Sequence, residues 1–465
     1  MNIFKLYSLF PVSVQNMFCT LKGYQLENQR YSAGGGYLTD FQYLVESDKK
    51  ATAEDILRYK EEETFQILEY VYRHCPYYRA TFKEVGVTPE DFKQIEDLQK
   101  FPILTKEQVR TYWMGMISDE INPKMLIPYH TSGSTGKALD FFWTKDSLIY
   151  YWATVWRGRK RCGIEKGDLH LNFTGKLVVP LSQKRPPYWR YNAALRQYMI
   201  NMQHITVEKV PAIVDFINQT DFRFIVGYPS IIYSFAQFVE ELGLRIKKVP
   251  PFMFPSAEKL YDYQRDLILN VFPGLQIMEH YGFSENAACA SKCLQGHYHE
   301  DFEIGHLELL NAIPTSGGEM GKLLATGFKN KGMPFIRYEI GDSATFSNTP
   351  CTCGLHSRVI FDIEGRSEDY VITPEGTRVM RFDYLFKDTH SIKECQVVQR
   401  KLGEVTLRIV KRDNYTMAVE ASIIERAHSI ISPTIQVNFE YVNEIQRTKA
   451  GKFRAVVSEL NKKQQ

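Results

Sequence analysis

The segment Tyr129-His130-Thr131-Ser132-Gly133-Ser134-Thr135-Gly136-Lys137 gathers two glycines, four hydroxyl side chains and a lysine into nine residues. Glycines let backbone N–H groups turn inward and approach an anion closely, hydroxyls add donors, and the lysine brings a mobile positive charge. This is the chemistry of a loop that wraps a polyphosphate. The spacing is not that of a Walker loop: two residues separate Gly133 from Gly136, and Ala138 rather than Ser or Thr follows the lysine. A P-loop kinase or ATPase is therefore disfavoured.

A second group of residues has metal chemistry. Cys351-Thr352-Cys353-Gly354 offers two thiolates one residue apart, and Cys293 lies six residues before His299. Two such pairs can close a tetrahedral Cys₃His site if the fold brings them together, and zinc is its natural occupant. His297 competes with His299 as the ligand, and Cys289 is a more distant candidate. With four protein ligands no position is left for water, so such a site is structural. Other catalytic patterns are missing: the chain has no Gly-x-Ser-x-Gly elbow, no His-Glu-x-x-His and no Gly-x-Gly-x-x-Gly.

These residues need a scaffold, and the chain is long enough to supply one. At 465 residues with 44% apolar content it is expected to fold as two or more domains. A net charge of +3 gives no strong field, so neither nucleic acid nor an anionic membrane is implied. The densest basic cluster, Arg157-Gly158-Arg159-Lys160-Arg161, reads as a solvated helix or loop end, with a phosphate-contacting patch as the lesser alternative. No stretch approaches the roughly 20 apolar residues of a membrane span. The run Leu6–Val12 is short, broken by Pro11 and lacks a cleavage pattern, so it is expected to pack on the domain. The expected location is the cytoplasm, and the eight cysteines then read as thiols or metal ligands rather than disulfides.

Apolar residues at helical period, Ile56, Leu57, Phe65, Leu68, Val71 and Tyr72, predict a helix, whereas 222–227 and 275–279 read as short buried strands. Alternation of the two predicts α/β layers. Beyond Gly365 the pattern changes to short strands at 370–377 and 404–410 with a helix near 422–431. The expected architecture is a large multi-layer α/β domain over 1–364 and a small mobile α+β domain over 365–465.

Five further segments follow the first in order: Ser256-Ala257-Glu258, Glu279-His280-Tyr281-Gly282-Phe283-Ser284-Glu285, Tyr338-Glu339-Ile340-Gly341-Asp342, Gly365-Arg366-Ser367-Glu368-Asp369 and Gly451-Lys452-Phe453-Arg454. The set resembles the adenylate-forming superfamily of acyl-CoA ligases and adenylation domains. Flanking text such as His74-Cys75-Pro76-Tyr77-Tyr78-Arg79, Phe101-Pro102-Ile103-Leu104-Thr105-Lys106-Glu107 and Val226-Gly227-Tyr228-Pro229-Ser230 is similar to the phenylacetate-CoA ligase group, and to its capsule-biosynthesis branch in particular.

The resemblance implies that a carboxylic acid is activated with ATP and Mg²⁺ and passed to a thiol, CoA. It assigns the β- and γ-phosphates to Thr131–Lys137, the adenine to Ser256, Ala257, Glu258, Tyr281 and Gly282, and the ribose to Asp342 and Arg366. Glu285 would take Mg²⁺, because a hard cation prefers carboxylate oxygen. Lys452 would neutralise transition-state charge, with Thr131 and Glu285 as the other catalytic residues and Glu368 as the hinge. His280 could line the acid pocket or be a satisfied core histidine. Some members of the phenylacetate-CoA ligase group carry a zinc on comparable cysteines and a histidine, so the resemblance supports Cys293, His299, Cys351 and Cys353. Two departures stand out: Glu368 where aspartate is commoner, and Ala138 where relatives place proline. The rival readings are delivery of the acyl group to a sugar or carrier amine or hydroxyl without CoA, and a nucleotide-binding regulator without chemistry. The acid itself and the oligomeric state are not legible.

Overall fold

The computed structural model describes residues 6–31, 36–130, 139–364, 371–374, 378–379, 385, 391–447 and 453–460. The fold is mixed α/β, with two compact units: Met1–Cys19, Asp168–Ile277 and Gly365–Gln465 form one, and Thr20–Gly167 with Met278–Glu364 the other. Gly365 is thus a cut between units, while the segment after it groups with 168–277.

The Thr20–Gly167 and Met278–Glu364 unit is built on a seven-stranded antiparallel sheet. Its strand order is Gly305–Thr315, Gly318–Gly327, Tyr338–Ser347, Val359–Glu364, Tyr298–Glu300, Cys289–Lys292 and, at the edge, His280–Gly282. The helix expected from the apolar period runs over Ala53–His74, started by a reciprocal Thr52–Asp55 capping box. It buries Ile56, Ile67, Leu68 and Val71, whereas Leu57 lies off the apolar stripe and is exposed. Phe82, Phe101, Phe141, Phe335 and Tyr338 fill the core. Each buried phenylalanine contributes roughly 1.5–3 kcal/mol relative to an exposed one. Lys60 on the same helix is buried and ion-paired to Glu300 at 2.8 Å.

In the other unit the strands Gln197–Asn201, His170–Thr174, Phe224–Gly227, Phe252–Pro255 and Gln276–Ile277 run parallel in that order, with Arg190–Asn192 antiparallel at one edge. Helices Val210–Gln219, Pro229–Glu241 and Asp262–Val271 supply the connections that parallel strands require. Both strands expected from the sequence are present, shortened to Phe224–Gly227 and Gln276–Ile277. Ligand loops in such sheets follow the carboxyl ends of the strands, and here those ends lead into Tyr228-Pro229 and Ser256-Ala257-Glu258. The Leu6–Val12 run packs as expected, with the Tyr7 hydroxyl donating to the Val178 carbonyl at 2.7 Å.

The last part of this unit has its own four-stranded sheet, ordered Gln436–Tyr441, Glu404–Lys411, Ile392–Lys401 and Val456–Ser458. Helix Met417–Ile430 packs Ile423 and Ala427 into an apolar cluster with Val397, Val405 and Leu407. The helix starts five residues before the expected Ser422, with the extended Thr416 at its N-cap position. None of the described helices is long and apolar enough to cross a membrane, and all eight cysteines are unbridged.

Candidate active site

Strand alternation sets the first part of the site. Along Tyr338–Ser347 every second residue is buried, which puts Tyr338, Ile340 and Asp342 on one inner face. Asp342 is therefore no surface turn residue: it is 8% exposed, and its Oδ2 accepts a 2.7 Å hydrogen bond from the Tyr281 hydroxyl. On the same face the Tyr338 hydroxyl donates to Glu285 Oε1 at 2.6 Å. Glu285 is 3% exposed, and its second oxygen, Oε2, has no hydrogen-bond partner among the described residues. A buried carboxylate oxygen without a donor suits a hard cation, and Mg²⁺ fits this donor chemistry.

Thr131, Ser132, Gly133, Ser134, Thr135, Gly136 and Lys137 lie outside the described residues. The strands on either side, Ile127–His130 and Asp140–Trp143, pair antiparallel as a hairpin. The base of that hairpin is fixed beside the Tyr281–Glu285 motif, since Trp143 Nε1 donates to the Ser284 carbonyl at 3.1 Å.

In the other unit Ser256, Ala257 and Glu258 form a tight turn, with Ala257 at φ +63° and Glu258 N bonded to Ser256 O at 2.9 Å. Ser256 N is held by Gly227 O, and Gly227 is required there because a Cβ would sit 2.5 Å from the Phe173 carbonyl. Glu258 is a latch: Oε2 accepts from Ser230 N at 3.1 Å and Oε1 from Phe453 N at 2.8 Å. Lys452, the residue before Phe453, lies outside the described residues, as do Arg366 and Glu368. The described ends of the segment that carries Lys452 are pinned, with Arg447 over the Phe453 ring at 4.7 Å and paired to Glu394.

The fold brings Cys293, His299, Cys351 and Cys353 together, with their ligand atoms all within 4.8 Å of one another. Cys293 and Cys351 sulfurs are 3.8 Å apart, matching the edge of about 3.8 Å that tetrahedral zinc–thiolate geometry gives. His299 Nε2 is 3.2 Å from the Cys353 sulfur, while its Nδ1 is 3.2 Å from the Ser357 carbonyl, which orients the ring. His297 flanks the cluster, its Nδ1 3.3 Å from Cys351. Cys289 is elsewhere, directed at Asp301. The donor set fits zinc, and Cys353→Ser should lower both zinc content and melting temperature. Metal analysis of protein prepared without added metal checks this; a zinc-free preparation with an unchanged melting temperature would refute it.

Comparison with known proteins bears on this geometry. The CapK C-terminal domain family matches residues 371–459. Protein CapK of Staphylococcus aureus is 24% identical over 98% of this chain and 99% of its own length. Phenylacetate-coenzyme A ligase of Thermus thermophilus is 22% identical, with 86% of this chain and 95% of the relative covered. Among solved structures, 2-hydroxyisobutyryl-CoA ligase in the postadenylation state with 2-HIB-AMP matches with a TM-score of 0.69 at 18% identity, covering 90% of this chain and 92% of that one. The chain is thus similar over most of its length to CapK and to a phenylacetate-CoA ligase, and it shares the fold of 2-hydroxyisobutyryl-CoA ligase.

The structure corrects the expectation for the basic cluster at 157–161. It is not a solvated end: Arg157 is 1% exposed and bridges Asp301 and Glu303, each at 2.7 Å. Arg161 pairs with Asp48 at 2.6 Å. The sequence reading also missed Tyr338, which holds Glu285, and Ser291, which holds His280 with Nδ1 3.0 Å from Oγ. Tyr338 opens a recognised segment and could have been suspected. Ser291 and Asp301 carry no local signal at all.

Proposed function

We propose that this protein activates a carboxylic acid with ATP, forming an acyl-adenylate and releasing pyrophosphate, and then passes the acyl group to CoA. The observation that carries the reading is the convergence of Tyr281 on Asp342 and of Tyr338 on Glu285 along one strand face.

In this reading the two oxygens of Asp342 match the vicinal ribose hydroxyls, and the Tyr281 hydroxyl keeps that carboxylate in place while its ring stacks on adenine. Thr131–Lys137 hold the β- and γ-phosphates. Glu285 would hold Mg²⁺, which when bound supplies positive charge beside the phosphates. The acid's oxygen attacks the α-phosphorus and the bond to pyrophosphate breaks, with Lys452 neutralising the developing charge. Residues 1–364 would bind ATP and acid, 365–465 would deliver and withdraw Lys452, and Glu368 would be the hinge. We place the reaction in the cytoplasm. A sugar or carrier amine or hydroxyl, as in polysaccharide biosynthesis, is the alternative acceptor.

Two measurements test it. CoA-dependent release of AMP after acid-dependent pyrophosphate release supports the thioester route, and AMP release driven only by an amine or hydroxyl acceptor would replace it. Asp342→Ala should raise the ATP Michaelis constant about tenfold to a hundredfold, since a hydrogen bond to a charged group is worth about 1.5–3 kcal/mol in ground and transition states alike. A fall in maximal rate alone, with calorimetric ATP binding unchanged, would remove Asp342 from the ribose.

A further inference from the structure

His280 ends a chain of buried polar groups whose protons can be assigned in turn. Asp301 is fully buried, and its Oδ1 is paired to Arg157 at 2.7 Å, so it is a carboxylate that only accepts. The Ser291 hydroxyl, 3% exposed, must therefore donate to Asp301 Oδ2, 2.7 Å away. With that proton committed, the 3.0 Å contact between Ser291 Oγ and His280 Nδ1 is a bond that the imidazole donates. Burial holds the ring neutral against the pull of Asp301, helped by Arg159, Arg157 and Arg161. A neutral imidazole that donates from Nδ1 leaves Nε2 a bare acceptor.

That acceptor is unsatisfied. Nε2 is screened from water and has no hydrogen-bond partner among the described residues. A Cβ on Gly282 would stand 3.3 Å from it, so glycine at this position keeps a side chain off Nε2. On the other side Gly158 lets the Lys145–Lys160 helix close on Ser291, where a Cβ would be 3.2 Å from Oγ. The ring is also fixed by register: His280, Ser291 and His299 face one another across three strands, which ties it to the strand that carries a cluster ligand. His280–Gly282 is the edge strand, so a ligand lying along that edge reaches both the Tyr281 face and the His280 face.

We infer that the acid activated here carries a hydroxyl group, which donates to His280 Nε2, and that His280 determines specificity with Ser291 and Asp301 as its positioning residues. An all-hydrocarbon acid would leave the nitrogen desolvated and unpaired, a loss that sites built around a hydrogen bond use to reject analogues. The inference rests on the acid-activation reading above.

The test is acid-dependent ATP–pyrophosphate exchange with matched pairs: lactate and propionate, 2-hydroxyisobutyrate and isobutyrate, 4-hydroxyphenylacetate and phenylacetate. The hydroxy member of at least one pair should be favoured by about a hundredfold or more in kcat/KM. His280→Phe, which keeps a ring but no acceptor, should bring that ratio close to unity while the ATP Michaelis constant stays unchanged. His280→Gln, which can offer an acceptor oxygen, should retain part of the preference and guards against a folding defect in the phenylalanine variant. Ser291→Ala should erode the same ratio and Ser291→Thr restore it. Exchange with no hydroxyl preference, or equal losses on both members of a pair in His280→Phe and His280→Gln, would overturn the inference and leave acid activation standing. No exchange with these six or with any acid of a panel widened to fatty, sugar and amino acids would overturn both.

Discussion

Lys452→Ala should slow acid-dependent adenylate formation about a hundredfold, the rate equivalent of losing one preorganised charge worth roughly 3 kcal/mol in the transition state. ATP binding should be nearly unchanged, because in the proposed role this lysine would act on charge that develops at the α-phosphorus rather than on the bound nucleotide. The described residues on either side of that lysine are tied down. Phe453 is bonded through its backbone to Glu258, in the turn assigned to adenine, and Arg447 closes the other end by lying over the Phe453 ring. Glu258→Gln weakens that latch without touching Lys452, but it alters the turn assigned to adenine, so it should slow adenylate formation less and weaken ATP binding as well. Single-turnover pyrophosphate release and ATP calorimetry on both variants separate the steps, and normal release in Lys452→Ala would take the lysine out of the mechanism.

Arg157→Ala should be the most destabilising single change in the Thr20–Gly167 and Met278–Glu364 unit. It removes the partner of two carboxylates that are both 0% exposed, Asp301 and Glu303. Breaking a buried pair from one side leaves an uncompensated charge and costs about 3–5 kcal/mol. Four of the five tryptophans, Trp113, Trp143, Trp152 and Trp156, belong to this unit. Denaturation followed by their fluorescence therefore reports on it. The pH dependence has a definite sign. Burial pushes the Asp301 carboxyl up, but Arg157 and Arg161 outweigh it and hold the group below its usual value. Its stabilising contribution is thus present above the ordinary carboxylate range and is lost as pH falls through the folded value. The gap between wild type and Arg157→Ala should be widest near neutrality and shrink in acid. An unchanged midpoint at pH 7 would show that the arginine does not hold this core.

The chemistry was more legible than its support. Tyr281, Glu285 and Asp342 stand in segments that their joint order, and not any one of them alone, makes recognisable, and the two cysteine-bearing pairs have spacings that suggest a metal before any fold is known. Parallel strands such as Phe224–Gly227 show themselves as short apolar runs ending at turns. What could not be read is convergence between distant segments. Arg157 looks like a solvated base because its partners Asp48, Asp301 and Glu303 come from other parts of the chain. Periodicity also says where a helix is but not which borderline residue lies off its apolar stripe, as Leu57 shows. The Glu258–Phe453 latch is a backbone contact, and no side-chain pattern announces it.

The central claim is that this chain joins a carboxylic acid to AMP. Its most direct test is isotope exchange between labelled pyrophosphate and ATP, measured with purified protein and Mg²⁺ across aryl, fatty, sugar and amino acids alongside the hydroxy acids. The account predicts exchange that depends strictly on one class of acid, requires no CoA, and falls about a hundredfold in Lys452→Ala. Exchange absent with every acid, or present without any acid, would contradict it.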